Sequence, residues 1–321
     1  MSTDGDASLR PQPGSMTDPG ARERVLGASS GYTGRSLAAG GAAHKTTWVL
    51  LRGLGRGGGH WGEFPEIFRS EIASQHSSVE LVTLDLPGDG ALYQQTSPSR
   101  VPALVDACRA ELARLGHVGP YHLLAMSLGA MVACDWATRF PREVGAAVLI
   151  NTSLRPYSPV YRRLRPASYW KLLAMGLVRL GVRWREARVL SLTSRMVSEP
   201  DSVIDNWVQL HKQQPLGLRN GFRQLLAAAR YRASRLAPSV PVLLLCSRGD
   251  ELVDWHCSRA LSRAWGAPLR MHTQAGHDLP LDDPPWVARA VSDWLRLRTE
   301  HASRGSPRAE PGGAALGSSS C

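Results

Sequence analysis

Six short apolar runs recur along the chain: T-T-W-V-L-L (46–51), V-E-L-V-T-L-D (79–85), Y-H-L-L-A-M (121–126), A-A-V-L-I-N (146–151), V-P-V-L-L-L-C (240–246) and L-R-M-H-T (269–273). Amphipathic stretches lie between and after them, near 61–74, 100–116, 128–140, 255–265 and 284–298. Short strands buried on both faces, alternating with helices, define a mostly parallel sheet with helices on each side. The expected fold is therefore α/β, a doubly wound sheet of about six strands. The alternation breaks once. From about 153 to 238 there is no strand pattern, only helical periodicity with Trp170, Trp184 and Trp207. That segment is an all-helical insertion between the fourth and fifth strands.

The expected layout follows. The core spans 45–152 and 239–299, and the helical insertion spans 153–238. Residues 1–44 and 300–321 are rich in small and polar residues and cannot bury enough surface to offset their chain entropy, so disordered tails are expected there. No stretch approaches ~18 consecutive apolar residues, so no transmembrane segment is expected. The first thirty residues show no secretory pattern. Cys108, Cys134, Cys246, Cys257 and Cys321 form no C-x-x-C pair. They read as reduced thiols, mostly core filler, in a cytoplasmic protein.

The third strand runs directly into A-M-S-L-G (125–129), and a helix pattern follows. Strand, small–x–Ser–x–Gly, helix is a nucleophile elbow: a tight turn that presents Ser127 at the end of the sheet. A serine needs a base, and the base needs an orienting carboxylate. Asp250 follows the fifth strand in S-R-G-D-E-L-V-D (247–254), and His277 follows the sixth in A-G-H-D-L-P (275–280). All three lie beyond strand C-termini, where ligands bind in such sheets. Asp254 and Asp278 are alternative carboxylates for the same role.

The loop R-G-L-G-R-G-G-G (52–59) after the first strand matches G-x-G-x-x-G, the spacing of a dinucleotide turn. That fold wants a carboxylate about 20 residues on. Asp85 comes too late, and D-L-P-G-D-G (85–90) reads as a turn. The favoured reading is an oxyanion loop, with the Leu54 and Leu128 backbone amides facing the developing negative charge. Trp61 and His60 either line a pocket or pack the loop against the core. No metal-ligand spacing occurs, and no cofactor is required.

Together R-G-L-G-R, D-L-P-G-D-G, A-M-S-L-G-A-M, S-R-G-D-E-L-V and A-G-H-D-L-P resemble the α/β-hydrolase superfamily across roughly 45–298. The resemblance implies a serine hydrolase acting on a carboxylic ester or thioester through Ser127, His277 and Asp250, with 153–238 in the place of the family's helical cap. Two positions depart from the usual pattern: Arg52 stands where a histidine is common, and Ala125 replaces the first elbow glycine. A serine nucleophile argues against dehalogenase, epoxide hydrolase and dienelactone hydrolase chemistry. Haloperoxidase-like or C–C hydrolase activity on the same residues stays open, as does a non-catalytic docking module on the scaffold.

Charge is concentrated in the insertion. Leu154 to Pro238 holds 16 Lys and Arg against 4 Asp and Glu, while the chain as a whole carries +11. An acidic carrier protein, a phosphorylated or CoA-linked substrate, or an anionic membrane surface fits such a face. The design is similar to superfamily methyl esterases that receive a pimeloyl carrier protein. An arginine-rich solvated face fits equally. No nucleic-acid recognition motif accompanies the charge.

Overall fold

The computed structural model of the chain describes residues 46–74, 78–168 and 181–305. Six strands form one sheet: β1 Thr46–Leu51, β2 Val79–Leu84, β3 Tyr121–Met126, β4 Val144–Ile150, β5 Val242–Ser247 and β6 Leu269–His272. Their spatial order is β2-β1-β3-β4-β5-β6, and every neighbouring pair is parallel. The core helices are α1 (Phe64–Ala73), α2 (Val101–Arg114) and α3 (Leu128–Arg139) before the insertion. Three helices of the insertion follow: α4 (Val182–Thr193), α5 (Pro200–Gln213) and α6 (Leu218–Arg230). The core resumes with α7 (His256–Trp265) and α8 (Pro284–Gly305).

The strand pleat divides the core in two. Trp48 and Leu50 of β1 pack with Phe64, Phe68 and Ile72 of α1 and with Val287 and Val291 of α8. Val49 and Leu51, their immediate neighbours, pack instead with Leu104 and Leu112 of α2, Val132 and Trp136 of α3, and Leu261 of α7. Period-two alternation with both faces apolar is what a doubly wound sheet requires. Each fully buried side chain of this size contributes about 1.5–3 kcal/mol. Cys108, Cys134, Cys246 and Cys257 are free thiols within this core. Burial pushes Cys108, Cys134 and Cys246 up to about 12, which suits filler rather than chemistry.

From β1 the chain crosses to β2 on one side, then returns past β1 to β3 on the other. The ends of β1 and β3 therefore flank the switch point, where connections diverge and leave a crevice. Between β4 and β5 the described residues hold a short helical turn (Val160–Arg163) and α4–α6, with one isolated bridge between Arg155 and Arg232. Leu190, Ile204 and Trp207 form a small apolar cluster between α4 and α5, with Leu281 of the core packed against it. Trp170 lies outside the described residues.

Helix α8 continues through Gly305, past residue 300, where composition places the start of a tail. Side-chain bonds back along the helix accompany that end: Thr299 Oγ1 donates to the Leu295 carbonyl, and His301 Nδ1 meets the Leu297 carbonyl at 2.6 Å. Residues 1–45 and 306–321, which hold most of the two expected tails and Cys321, lie outside the described residues. No helix among the described residues is long and apolar enough to cross a membrane.

Candidate active site

Ser127 joins β3 to α3 at φ 53° and ψ −117°. Few non-glycine residues adopt positive φ, and such strain persists only where neighbours over-determine it. The neighbours here are specific. Ser127 N–H donates to the Ile150 carbonyl at the end of β4 (2.9 Å), and Thr152 Oγ1 donates to the Ser127 carbonyl (3.2 Å). Behind it, a Cβ at Gly129 would stand 2.6 Å from the Leu51 carbonyl oxygen and 2.4 Å from that of Arg52. Helix α3 passes β1 so closely that only glycine fits. Position 125 is less demanding, because Ala125 is fully buried between Leu51 and Leu149 without conflict.

Asp250 and His277 meet across two loops. His277 Nδ1 lies 2.7 Å from Asp250 Oδ2, and both residues are buried. The other carboxylate oxygen of Asp250 accepts the Leu252 and Val253 amides at 2.7 and 2.9 Å, which fixes its plane. With Nδ1–H donated to the carboxylate, Nε2 is left as the basic nitrogen. Burial alone pushes the imidazole down. The charge and hydrogen bond of Asp250, with Asp278 beyond, outweigh it and hold His277 above its ordinary 6.5. The alternative carboxylates are engaged elsewhere. Asp254 Oδ1 binds the His256 ring at 2.6 Å, and Asp278 binds Arg52. Among the described residues no hydrogen bond joins the Ser127 hydroxyl to the His277 ring. Such contacts are often long before substrate binds.

Asn151, one residue past β4, draws these loops together. Its Nδ2 donates to the His277 carbonyl (2.8 Å), the Gly276 carbonyl (3.3 Å) and Ser247 Oγ (3.1 Å), while its Oδ1 accepts Ser247 N–H (2.8 Å). Its φ of 46° is tolerated because asparagine enters the left-handed region more readily than most residues. Asn151 carries no acid and belongs to no motif in the sequence. An asparagine directly after a buried strand was the available signal.

Two amides of the glycine-rich loop are engaged by side chains of the chain itself. Gly58 N–H donates to Asp85 Oδ1 (2.6 Å), and Gly55 N–H donates to Gln224 Oε1 of α6 (2.9 Å). Asp85 thus pins the loop, with its other oxygen accepting the Ala91 amide. The Leu54 and Leu128 amides take part in no hydrogen bond among the described residues, and a Cβ at Gly53 would stand 3.1 Å from Ser127 Cβ. Trp61 packs the loop against the core. It is 2% exposed, stacks on Phe64 at 5.3 Å and lies under the Arg52 guanidinium. His60 packs against Trp207 and is pushed down to about 2 by burial and by Arg56 and Arg52, so it stays neutral.

Arg52, the departure from the usual histidine, forms a buried two-point pair with Asp278, at 3.0 and 2.5 Å. It ties the loop after β1 to the loop carrying His277. Gln224, which sequence periodicity could not single out, is fully buried and bridges Gly55 N–H to Asp89 Oδ2. Burial raises Asp89 to about 7.

The sheet order, the strained serine turn and the loops at the strand ends define an α/β hydrolase. The sequence matches the family described as "Alpha/beta hydrolase family" over residues 48–290, most of the chain, and the protein belongs to that family. Among curated proteins, RutD of Cronobacter turicensis, provisionally named a carbamate hydrolase, is 30% identical over 71% of this chain and 83% of its own length. RutD of Pantoea ananatis, named likewise, is 27% identical over 81% of this chain and 92% of its own. Among solved structures, a thermophilic esterase from Thermogutta terrifontis shares the fold at a TM-score of 0.58, with 20% identity, covering 78% of this chain and 90% of that one.

Proposed function

We propose that this hydrolase works by acyl transfer through Ser127, with His277 as base and Asp250 as its orienting carboxylate. The observation that carries the reading is the buried Asp250–His277 pair at 2.7 Å, set beside a serine in the strained elbow conformation. His277 Nε2 takes the Ser127 proton as Oγ attacks the carbonyl carbon. The amides of Leu54 and Leu128 receive the oxyanion, a donor pair in which each member is worth ~3 kcal/mol of transition-state stabilisation. The imidazolium then protonates the leaving alcohol or thiol, and an acyl-serine forms. Water, deprotonated by the same nitrogen, releases the carboxylic acid and regenerates Ser127.

The substrate class is a carboxylic ester or thioester. Carbamate cleavage, the activity in the relatives' name, uses the same attack on an acyl carbon and belongs to the same assay panel. The helices of 153–238 serve as the cap that sets access to the site. In a p-nitrophenyl ester assay, Ser127→Ala abolishes turnover while the fold, followed by circular dichroism, is retained. Undiminished activity in that variant would exclude the mechanism. Reaction with a fluorophosphonate probe separates this reading from a non-catalytic docking module, which would stay unlabelled.

A further inference from the structure

Helix α6 has two faces of different use. Gln224 and Ala227 point inward and are fully buried. On the outside, Leu218, Phe222 and Leu225 are 68%, 66% and 45% exposed. Their i, i+4, i+7 spacing puts three large apolar side chains in one stripe, which a solvated helix does not need.

The charge around this stripe is one-sided. Between Asp205 and Asp250 the chain contains no acidic residue, but it contains Lys212, Arg219, Arg223, Arg230, Arg232, Arg235 and Arg248. All but Arg223 and Arg248 belong to the insertion's open surface: Lys212, Arg219, Arg230, Arg232 and Arg235 are exposed. Beside the C-terminal end of α6 lies a cavity of about 390 Å³ lined in part by Arg100, Arg230, Arg232 and Tyr231. The one carboxylate on its wall, Asp135, is held by Arg139 at 3.4 Å.

We propose that the outer face of α6, with the arginine-lined cavity beside it, docks on an anionic phospholipid membrane. Leu218, Phe222 and Leu225 enter the boundary between headgroups and acyl chains. The guanidinium groups meet lipid phosphates, with the cavity admitting one headgroup. An apolar stripe interleaved with arginines, on a helix without acids, is the pattern of a helix that lies in a membrane interface. A charge-only contact with an acidic polypeptide leaves the exposed Phe222 and Leu218 unexplained. The surface is independent of catalysis. If the site acts as proposed above, docking brings its mouth to a supply of acyl lipids, because the inner side of the same helix holds the loop after β1 through Gln224.

The test is sedimentation of the full chain with vesicles of phosphatidylcholine alone, and with about one third phosphatidylglycerol. Binding is expected only with the anionic vesicles, and it is expected to collapse in about 1 M salt, where the Debye length is about 3 Å. Phe222→Asp with Leu218→Ser should abolish it. Arg230→Glu with Arg232→Glu should weaken it about tenfold or more. Undiminished fluorophosphonate labelling of each variant shows that it is folded, or a matching far-ultraviolet spectrum does so if the catalytic reading itself fails. Ser127→Ala should bind vesicles like the parent. Equal binding to both vesicle types, or no vesicle binding, overturns the proposal. Capture by soluble polyglutamate without vesicle binding assigns the face to an acidic polypeptide and overturns it equally.

Discussion

The sheet and the helical insertion contribute to the same site in opposite ways. The sheet delivers residues at strand ends: Ser127 after β3, Asn151 after β4, Asp250 after β5 and His277 after β6. Short connections from a rigid layer fix each position. The insertion delivers hydrogen bonds that hold those loops from outside. Gln224 holds Gly55, and Glu186 holds Arg56 at 2.7 Å, with the guanidinium lying 4.1 Å from the Trp207 ring centre. The Thr193 carbonyl accepts the Asp278 amide (2.6 Å), next to His277. Asp282 accepts the Arg195 and Met196 amides of the insertion and the Gly276 amide of the core. The core supplies the groups proposed to react, and side chains and backbone of the insertion hydrogen-bond to the loops around them.

This division predicts unequal costs for substitutions in the two regions. The largest, beyond loss of the serine, falls on Asp250. Asp250→Asn leaves a group of the same shape but removes control of the imidazole tautomer, and turnover should drop on the order of 10⁴-fold. Asp254→Asn, four residues further on, should leave turnover unchanged, because its Oδ1 serves the His256 amide and ring. A reversal of these two outcomes would mean that the loop after β5 presents a different carboxylate.

Across the divide, Gln224→Ala removes the anchor observed on Gly55 N–H. The adjacent Leu54 amide loses its aim, so kcat should fall about tenfold with KM little changed, since a 1 Å misplacement can cost up to ~10²-fold. A rise in KM alone would place Gln224 in substrate binding instead.

The smallest effect is a shift with pH. Asp250 and Asp278 hold the His277 imidazole above its ordinary 6.5, and only the neutral ring can accept the serine proton. The acid limb of kcat/KM should therefore have its midpoint above 6.5 and move down in Asp250→Asn. The stability sign is the converse. Proton uptake by His277 favours the folded state at acid pH, and that contribution is lost as pH rises through the raised value. An acid limb well below 6.5 would contradict this electrostatic account.

The same contrast explains what the sequence could show. The elbow was legible because small residues flank a serine at a strand–helix junction, and a Cβ at Gly129 would collide with the Leu51 and Arg52 carbonyls, which is why that position must be small. The chain order put Asp250 and His277 after consecutive strands, and β5 and β6 are neighbours in the sheet, so their loops lie side by side. Arg52 was visible as a departure, but its partner Asp278 lies 226 residues away and no local pattern connects them. Gln224 was hidden for the same reason: it is polar on the buried side of an amphipathic helix, a position that periodicity assigns to apolar residues. Trp61 was open to two readings, because an aromatic after a glycine loop suits a pocket wall and a core anchor equally; it stacks on Phe64 in the cluster that also holds Phe68.

The most direct measurement is mass spectrometry of the intact protein after reaction with a fluorophosphonate, followed by peptide mapping. The account requires a single adduct, on Ser127, formed fast in the parent and not measurably in His277→Ala. An adduct on another residue, no adduct, or equal rates in the parent and in His277→Ala would show that Ser127 is not activated by this imidazole.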